Sequence, residues 1–200
     1  NYLIRNLIKK GAEVQILMTP SAEHFVSKLT LSTLSKKPVF SEFYSENGTW
    51  NNHVEFALWA DLIVVAPCTA NTLSKMVHGI CDNLVIATYL SAKCPIFIVP
   101  AMDLDMYQHP STRQNLEMAE DFGHFIIPAE DGELASGLSG QGRMAEPETI
   151  AEKIEAFFPH EKFTYTVNGT TMPIGHKFPY HASKKLMENL KHQIELAIKA

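Results

Sequence analysis

A neutral histidine is the usual side chain for moving a proton near pH 7. His53 follows a polar loop and opens the short amphipathic stretch HVEFALWA; a lone histidine in such a place also serves as an ordinary surface or capping residue. Asp103 and Asp105 stand two apart in VPAMDLDMYQHP, residues 99–110. Such a pair could act as acid and base or hold a cation, but nothing else in the chain completes a ligand set, so no metal is expected. In APCTANT, residues 66–72, Pro67 stops an apolar run, and Thr69, Asn71 and Thr72 follow where a helix should begin. Free N–H groups and short polar side chains there suit an anionic or polar cofactor, and equally suit plain N-capping. Gly132, Gly137, Gly140 and Gly142 punctuate GELASGLSGQGRM. No apolar strand immediately precedes them and no lysine follows, so they form no P-loop; the segment reads as a mobile flap, with Arg143 as an anion contact.

Residues of this kind need a frame. Leu3, Ile4, Leu7 and Ile8 share one helical face and Gly11 ends that helix. EVQILMT (13–19) reads as a strand, residues 20–35 as a turn into a helix, Phe40–Asn52 as a polar and aromatic loop, and 53–60 as a helix. Strands follow at 61–67, 95–101 and 124–129, with helices from about Asn71 and over 84–90. Apolar strands alternating with helices predict an α/β fold, a doubly wound parallel sheet covered on both faces. In such sheets ligands bind beyond the carboxyl ends of the strands, and every chemically unusual stretch falls there: MTPSA, APCTANT, VPAMDLDMYQHP and PAEDGELASGLSGQGRM. The tail 183–200 predicts a packing helix, with Ser183 as N-cap and Leu186, Leu190, Ile194 and Ala197 on one face.

Composition narrows the partners. The net charge of −5, with no basic run, argues against nucleic acid. Cys68, Cys81 and Cys94 are odd in number and form no CxxC, which implies a reducing, cytoplasmic setting. No apolar run approaches the roughly 20 residues that span a bilayer, so no membrane is expected. The histidines are scattered without metal-ligand spacing.

Taken together, HVEFALWAD (53–61), VAPCTANTLSKMVHGICDNL (65–84), VPAMDLDMYQHP (99–110) and LASGLSGQGRMAEP (134–147) resemble the homo-oligomeric flavin-containing cysteine decarboxylases, and among them the phosphopantothenoylcysteine decarboxylase family. The resemblance covers about residues 1–157, with 158–200 left as a tail. It implies a Rossmann-like or flavodoxin-like flavoprotein that uses FMN to decarboxylate 4′-phosphopantothenoylcysteine to 4′-phosphopantetheine in coenzyme A biosynthesis. The thiol-bearing carbon would be oxidised to a thioaldehyde, CO₂ lost to give an ene-thiol, and the electrons returned by the reduced cofactor. It places the active-site histidine on His53 and the FMN loop on Pro67, Thr69, Ala70, Asn71 and Thr72, with Thr19 beside the cofactor. Met102, Asp103 and Met106 fall on the substrate loop Pro-Ala-Met-Asn-x-x-Met-Trp. The flap over the substrate falls on Leu134–Met144, with Ala135 and Arg143 toward the substrate. It also implies a homotrimer or higher homo-oligomer with the site between subunits.

Three departures from the family are written in the chain. Ser136 stands at the flap position of a cysteine that protonates the ene-thiol, and a hydroxyl is a far weaker acid than a thiol. Asp103 stands at an asparagine that meets the substrate carboxylate, which an ionised Asp would repel. The family's first strand and its Gly-Ser-Ile-Ala turn, which holds the FMN phosphate, are not matched, so an interrupted sheet is expected; FTYTVNG (163–169) could fill that place. These departures keep two other readings in view: a non-catalytic, regulatory FMN-binding protein, and a peptidyl-cysteine decarboxylase.

Overall fold

The computed structural model describes residues 1–45, 47–158, 164–167 and 170–173, and the chain divides into two units, Asn1–Phe158 and Pro159–Ala200. In the first unit α1 (Tyr2–Lys9) precedes β1 (Ile16–Leu17), a 3-10 turn at Pro20–His24 and α2 (Lys28–Ser35). Then come β2 (Val39–Phe40), α3 (His53–Trp59), β3 (Ile63–Cys68), α4 (Ala70–His78) and α5 (Leu84–Ser91). β4 (Ile96–Pro100) leads into α6 (Leu104–Gln108), α7 (Pro110–Asp121) and β5 (Phe125–Ile126). A hairpin of β6 (Glu130–Glu133) and β7 (Ser139–Arg143) and the helix α8 (Pro147–Phe157) complete the unit.

The strand order is β3-β4-β5, all parallel, with β1-β2 as a second parallel pair. Among the described residues the two sheets share no ladder. β4 shows why helices cover both faces. Its five residues are all buried, and alternation sends Ile96 and Ile98 to one side, Phe97 and Val99 to the other. Ile96 and Ile98 join Leu73, Met76 and Val77 of α4, Ile86 and Tyr89 of α5 and Ala119 of α7. Phe97 and Val99 meet Ile127 and Ile150 and Ile154 of α8, with Leu3 and Leu7 of α1 packed against them. That is the doubly wound arrangement read from the alternating strands and helices.

Local chemistry sets the helix starts. The side chains of Ser27, Asn52, Thr69 and Asn83 each accept a hydrogen bond from a backbone N–H in the first turn of α2, α3, α4 and α5. The expected flap is a paired antiparallel hairpin. The expected polar loop 40–52 carries β2 at its start and an antiparallel bridge between Tyr44 and Trp50. In the second unit, β8 (Thr164–Val167) pairs antiparallel with β9 (Thr170–Pro173), so this stretch finds its partner in its own neighbour. The helix expected over 183–200 lies outside the described residues.

Candidate active site

Parallel strands align their carboxyl ends, and the loops leaving them collect the residues singled out by their chemistry. Thr19 follows β1, half-buried, at the start of the 3-10 turn. Pro67, Thr69 and Asn71 are exposed at the end of β3 and the start of α4, with Ala70 and Thr72 half-buried beside them. The Thr69 hydroxyl accepts from the Thr72 N–H at 3.3 Å and donates to the Thr72 hydroxyl at 3.2 Å, so plain capping is part of its role. The first turn of α4 holds no acidic residue. A helix N-terminus of that kind leaves its positive end open to an anionic or electron-rich group.

His53 is the first residue of α3, set there by Asn52, whose side-chain oxygen accepts from the Val54 N–H at 3.1 Å. A tight hairpin walls it in. Phe43 lies edge-on to the imidazole at 6.2 Å between centroids and Trp50 at 6.0 Å, while Phe43 and Trp50 stack at 5.5 Å. Asn51 holds that hairpin shut: its amide donates to the Glu42 carbonyl at 2.8 Å and its N–H to the Phe43 carbonyl at 2.7 Å. His53 Nδ1 is buried and has no hydrogen-bond partner among the described residues. A buried polar nitrogen left unpaired costs about 1–3 kcal/mol. Such an atom at a strand-end edge is a place for a ligand.

The loop after β4 and the flap come together. Met102 N–H donates to the Gly142 carbonyl at 2.9 Å, and Asp103 follows as the N-cap of α6. The Asp103 carboxylate makes no capping bond to that helix, which leaves it for another partner. Met106 is half exposed. At the flap tip Leu134 and Leu138 close a turn in which Gly137 adopts φ 83°, a conformation that glycine reaches without strain. Ala135 and Ser136 are exposed on that turn, and the Ser136 hydroxyl accepts only a long bond, 3.4 Å, from the Leu138 N–H. Arg143 is paired with Glu146, so its charge is already partly answered within the flap base. No hydrogen bond or ring contact joins His53 to Asp103 or Ser136 among the described residues. The candidate residues thus form two separate groups, His53 with its aromatic wall and the Asp103 loop with the flap.

Sequence reasoning missed the wall. Phe43 and Trp50 lie in what reads as a polar loop, and their only signal was aromatic content ten and three residues before His53. It also left Cys68 undecided. Cys68 lies inside the FMN-like loop yet is sealed, and burial pushes its thiol from 9.0 up to about 12. Burial likewise pushes Cys94 up to about 11. The stability carried by the protonated Cys68 thiol is fully present below pH 9 and is lost as pH rises through about 12, with a limiting slope of about 1.4 kcal/mol per pH unit. Unfolding midpoints measured from pH 8 upward should fall in that window, and less so in Cys68→Ala. At pH 8 iodoacetamide should label exposed Cys81 and spare Cys68; labelling of Cys68 in the folded chain would contradict its burial.

Comparisons with known proteins agree with this geometry. The family profile described as Flavoprotein matches residues 1–159. A cysteine/cysteine sulfinic acid decarboxylase from an unknown prokaryotic organism is 53% identical over 140 residues, covering 70% of this chain and 39% of that protein. The coenzyme A biosynthesis bifunctional protein CoaBC of Bacillus subtilis is 41% identical over 160 residues, covering 80% of this chain. The chain thus spans 39% of the length of each of these two relatives. A Streptococcus mutans protein named "Probable phosphopantothenoylcysteine decarboxylase" is 40% identical, with 76% of this chain and 87% of that one covered. Among solved structures, a cysteine-to-serine variant of a PPC decarboxylase complexed with pantothenoylaminoethenethiol superposes with a TM-score of 0.69 at 34% identity, covering 77% of this chain and 87% of that one.

Proposed function

From the premise that this chain belongs to the Flavoprotein family, we propose that it is an FMN-dependent decarboxylase of a cysteine-derived carboxylate, acting on 4′-phosphopantothenoylcysteine to give 4′-phosphopantetheine. Residues 1–157 form the FMN-binding decarboxylase domain in this reading. The observation that carries it is His53 Nδ1, buried and without a hydrogen-bond partner among the described residues. The CoaBC and phosphopantothenoylcysteine decarboxylase relatives supply the substrate.

The residues present fit the cofactor. Thr19, Pro67, Thr69, Ala70, Asn71 and Thr72 would hold FMN against the start of α4, where the first turn carries no repelling carboxylate. When bound, FMN supplies the two-electron oxidation of the thiol-bearing carbon and the later return of those electrons. The protein's share is placement. His53 takes or holds a proton at the substrate thiol, its ring kept in orientation by Phe43 and Trp50. The loop that bears Asp103, with Met102 and Met106 around it, would face the carboxyl end. The tip residues Ala135 and Ser136 cover the substrate, and Arg143 stands at the flap base on the same side. Val54, Leu58 and Trp59 leave apolar surface exposed on the helix that bears His53, which suits a homotrimer or higher homo-oligomer that covers them. No helix among the described residues is long and apolar enough to cross a membrane, and a metabolic role of this kind would suit the cytoplasm.

A second reading has its own support. The relative that is 53% identical is named for cysteine and cysteine sulfinic acid, so decarboxylation of the free amino acid is the rival. One experiment decides between them. The full chain, reconstituted with FMN, is given phosphopantothenoylcysteine, cysteine and cysteine sulfinic acid separately, and CO₂ release is followed. Turnover of the first alone supports the principal reading; turnover confined to the amino acids replaces it. FMN retention with no CO₂ from any of them would make the chain a non-catalytic flavoprotein.

A further inference from the structure

We propose that a β-bulge at Gly142 fastens the flap to the loop that carries Asp103, and that Gly142 and Leu104 are positioning residues for the carboxyl end of the substrate. The substrate in this statement rests on the decarboxylase reading above; the geometry does not.

β6 and β7 pair in step from Glu133 opposite Ser139 to Asp131 opposite Gln141. The register then slips, Glu130 faces Arg143, and Gly142 is the extra residue. A bulge takes one peptide out of the ladder and re-aims it. Here the freed carbonyl accepts from the Met102 N–H at 2.9 Å. The approach leaves no room for a side chain: a Cβ on Gly142 would lie 2.3 Å from the Met102 carbonyl oxygen and 3.5 Å from the Asp103 carbonyl carbon. Gly142 is buried between exposed Gln141 and Arg143. Two residues back, Leu104 covers Gly140, its Cδ1 at 2.8 Å from where a Cβ would stand. Residues 102–104 therefore rest on β7 through two glycines, one backbone hydrogen bond and one leucine.

The rest of the hairpin divides the flap into a fixed and a free part. At the base Gln141 donates to the Ala129 carbonyl at 3.2 Å, Glu130 accepts from the Glu146 N–H at 3.2 Å, and Arg143 pairs with Glu146. At the tip Ala135, Ser136, Gly137 and Leu138 are exposed. A tip can close on a substrate while the seam holds Asp103 still. Asp103 has no capping bond to fix it, so the seam sets its backbone. Displacing a reacting group by about 1 Å can cost on the order of 10²-fold in rate.

The test is Gly142→Ala in the full chain with FMN. Decarboxylation kcat/KM is expected to fall about 10- to 100-fold, with the flavin absorbance bands unchanged because residues 67–72 are untouched. The loss should shrink to a few-fold in an Asp103→Ala background, since a group already removed cannot be misplaced; full additivity overturns the proposal. Amide hydrogen exchange at Met102 provides a readout free of activity. It should quicken in Gly142→Ala, and unchanged protection overturns the seam even if the chain proves to act on another substrate or on none. Leu104→Ala adds no atom and guards against misfolding of the alanine variant. It should produce a smaller loss with the same dependence on Asp103, and wild-type kcat/KM in Leu104→Ala counts against the peg.

Discussion

His53→Gln lowers the kcat for CO₂ release by about 10²–10⁴-fold, the range over which a positioned acid–base group contributes, and leaves FMN bound. Glutamine keeps much of the volume between Phe43 and Trp50 and still offers a hydrogen bond, so the aromatic hairpin should stand. What it cannot do is gain and lose a proton near pH 7. The imidazole is suited to that work by its setting. Its Nδ1 is buried without a partner, and the ring is held edge-on by two aromatic neighbours. The measurement is single-turnover CO₂ release with the pH profile of wild type and variant, beside gel filtration to confirm retained flavin colour. A structural histidine would lower the unfolding midpoint and spare kcat. A variant within about threefold of wild type would remove His53 from the chemistry, since that falls well short of the expected range.

Ser136→Cys is expected to raise the rate at which fully reduced thiol product appears by about 10²-fold, the lower end of what a general acid supplies, while CO₂ release changes little. The two steps separate because CO₂ is lost before the ene-thiol needs a proton. Ser136 sits on the exposed flap tip with a single long hydrogen bond at 3.4 Å, so a thiol of nearly the same shape can replace it without strain. A thiol has an ordinary pKa of about 8.5, and a serine hydroxyl is a much weaker acid. The chain's own cysteines lie outside the flap, with exposed Cys81 in the stretch between α4 and α5. Cys68 is sealed and its thiol pushed up to about 12, and Cys94 lies ahead of β4, at the amino end of that strand. Stopped-flow flavin absorbance and product analysis check the prediction. Equal product rates in both proteins would show that the proton reaches the ene-thiol by another route.

Both predictions rest on residues that the sequence marks, yet neither could be weighed from the sequence alone. Apolar runs of β3 and β4 sufficed to place two parallel strands, because burial on both faces demands continuous Val, Ile and Phe. Thr69 stood where a helix was read to begin, since capping acts over two or three residues and is local by nature. The four motif stretches were enough to identify the family, and the resemblance put forward His53, Asp103 and Ser136 as candidates. β2, at two residues, carries too little periodicity to be recognised; it exists because β1 offers a parallel edge to Val39 and Phe40. The helix α6 lies in the stretch 99–110, which reads as a loop between prolines.

Tertiary structure alone decided three things. It closed Phe43 and Trp50 on His53 and left Nδ1 without a partner. It buried Cys68 in a loop whose polar neighbours suggest exposure. It paired the stretch of four glycines into a hairpin whose bulge meets Met102, forty residues from Gly142 in the chain. Each depends on contacts between segments distant in sequence, and the free energy of such contacts is settled only when the intervening chain has folded. Propensity and spacing determine what a segment can be; register, burial and the direction of an unpaired atom are properties of the partners it finds.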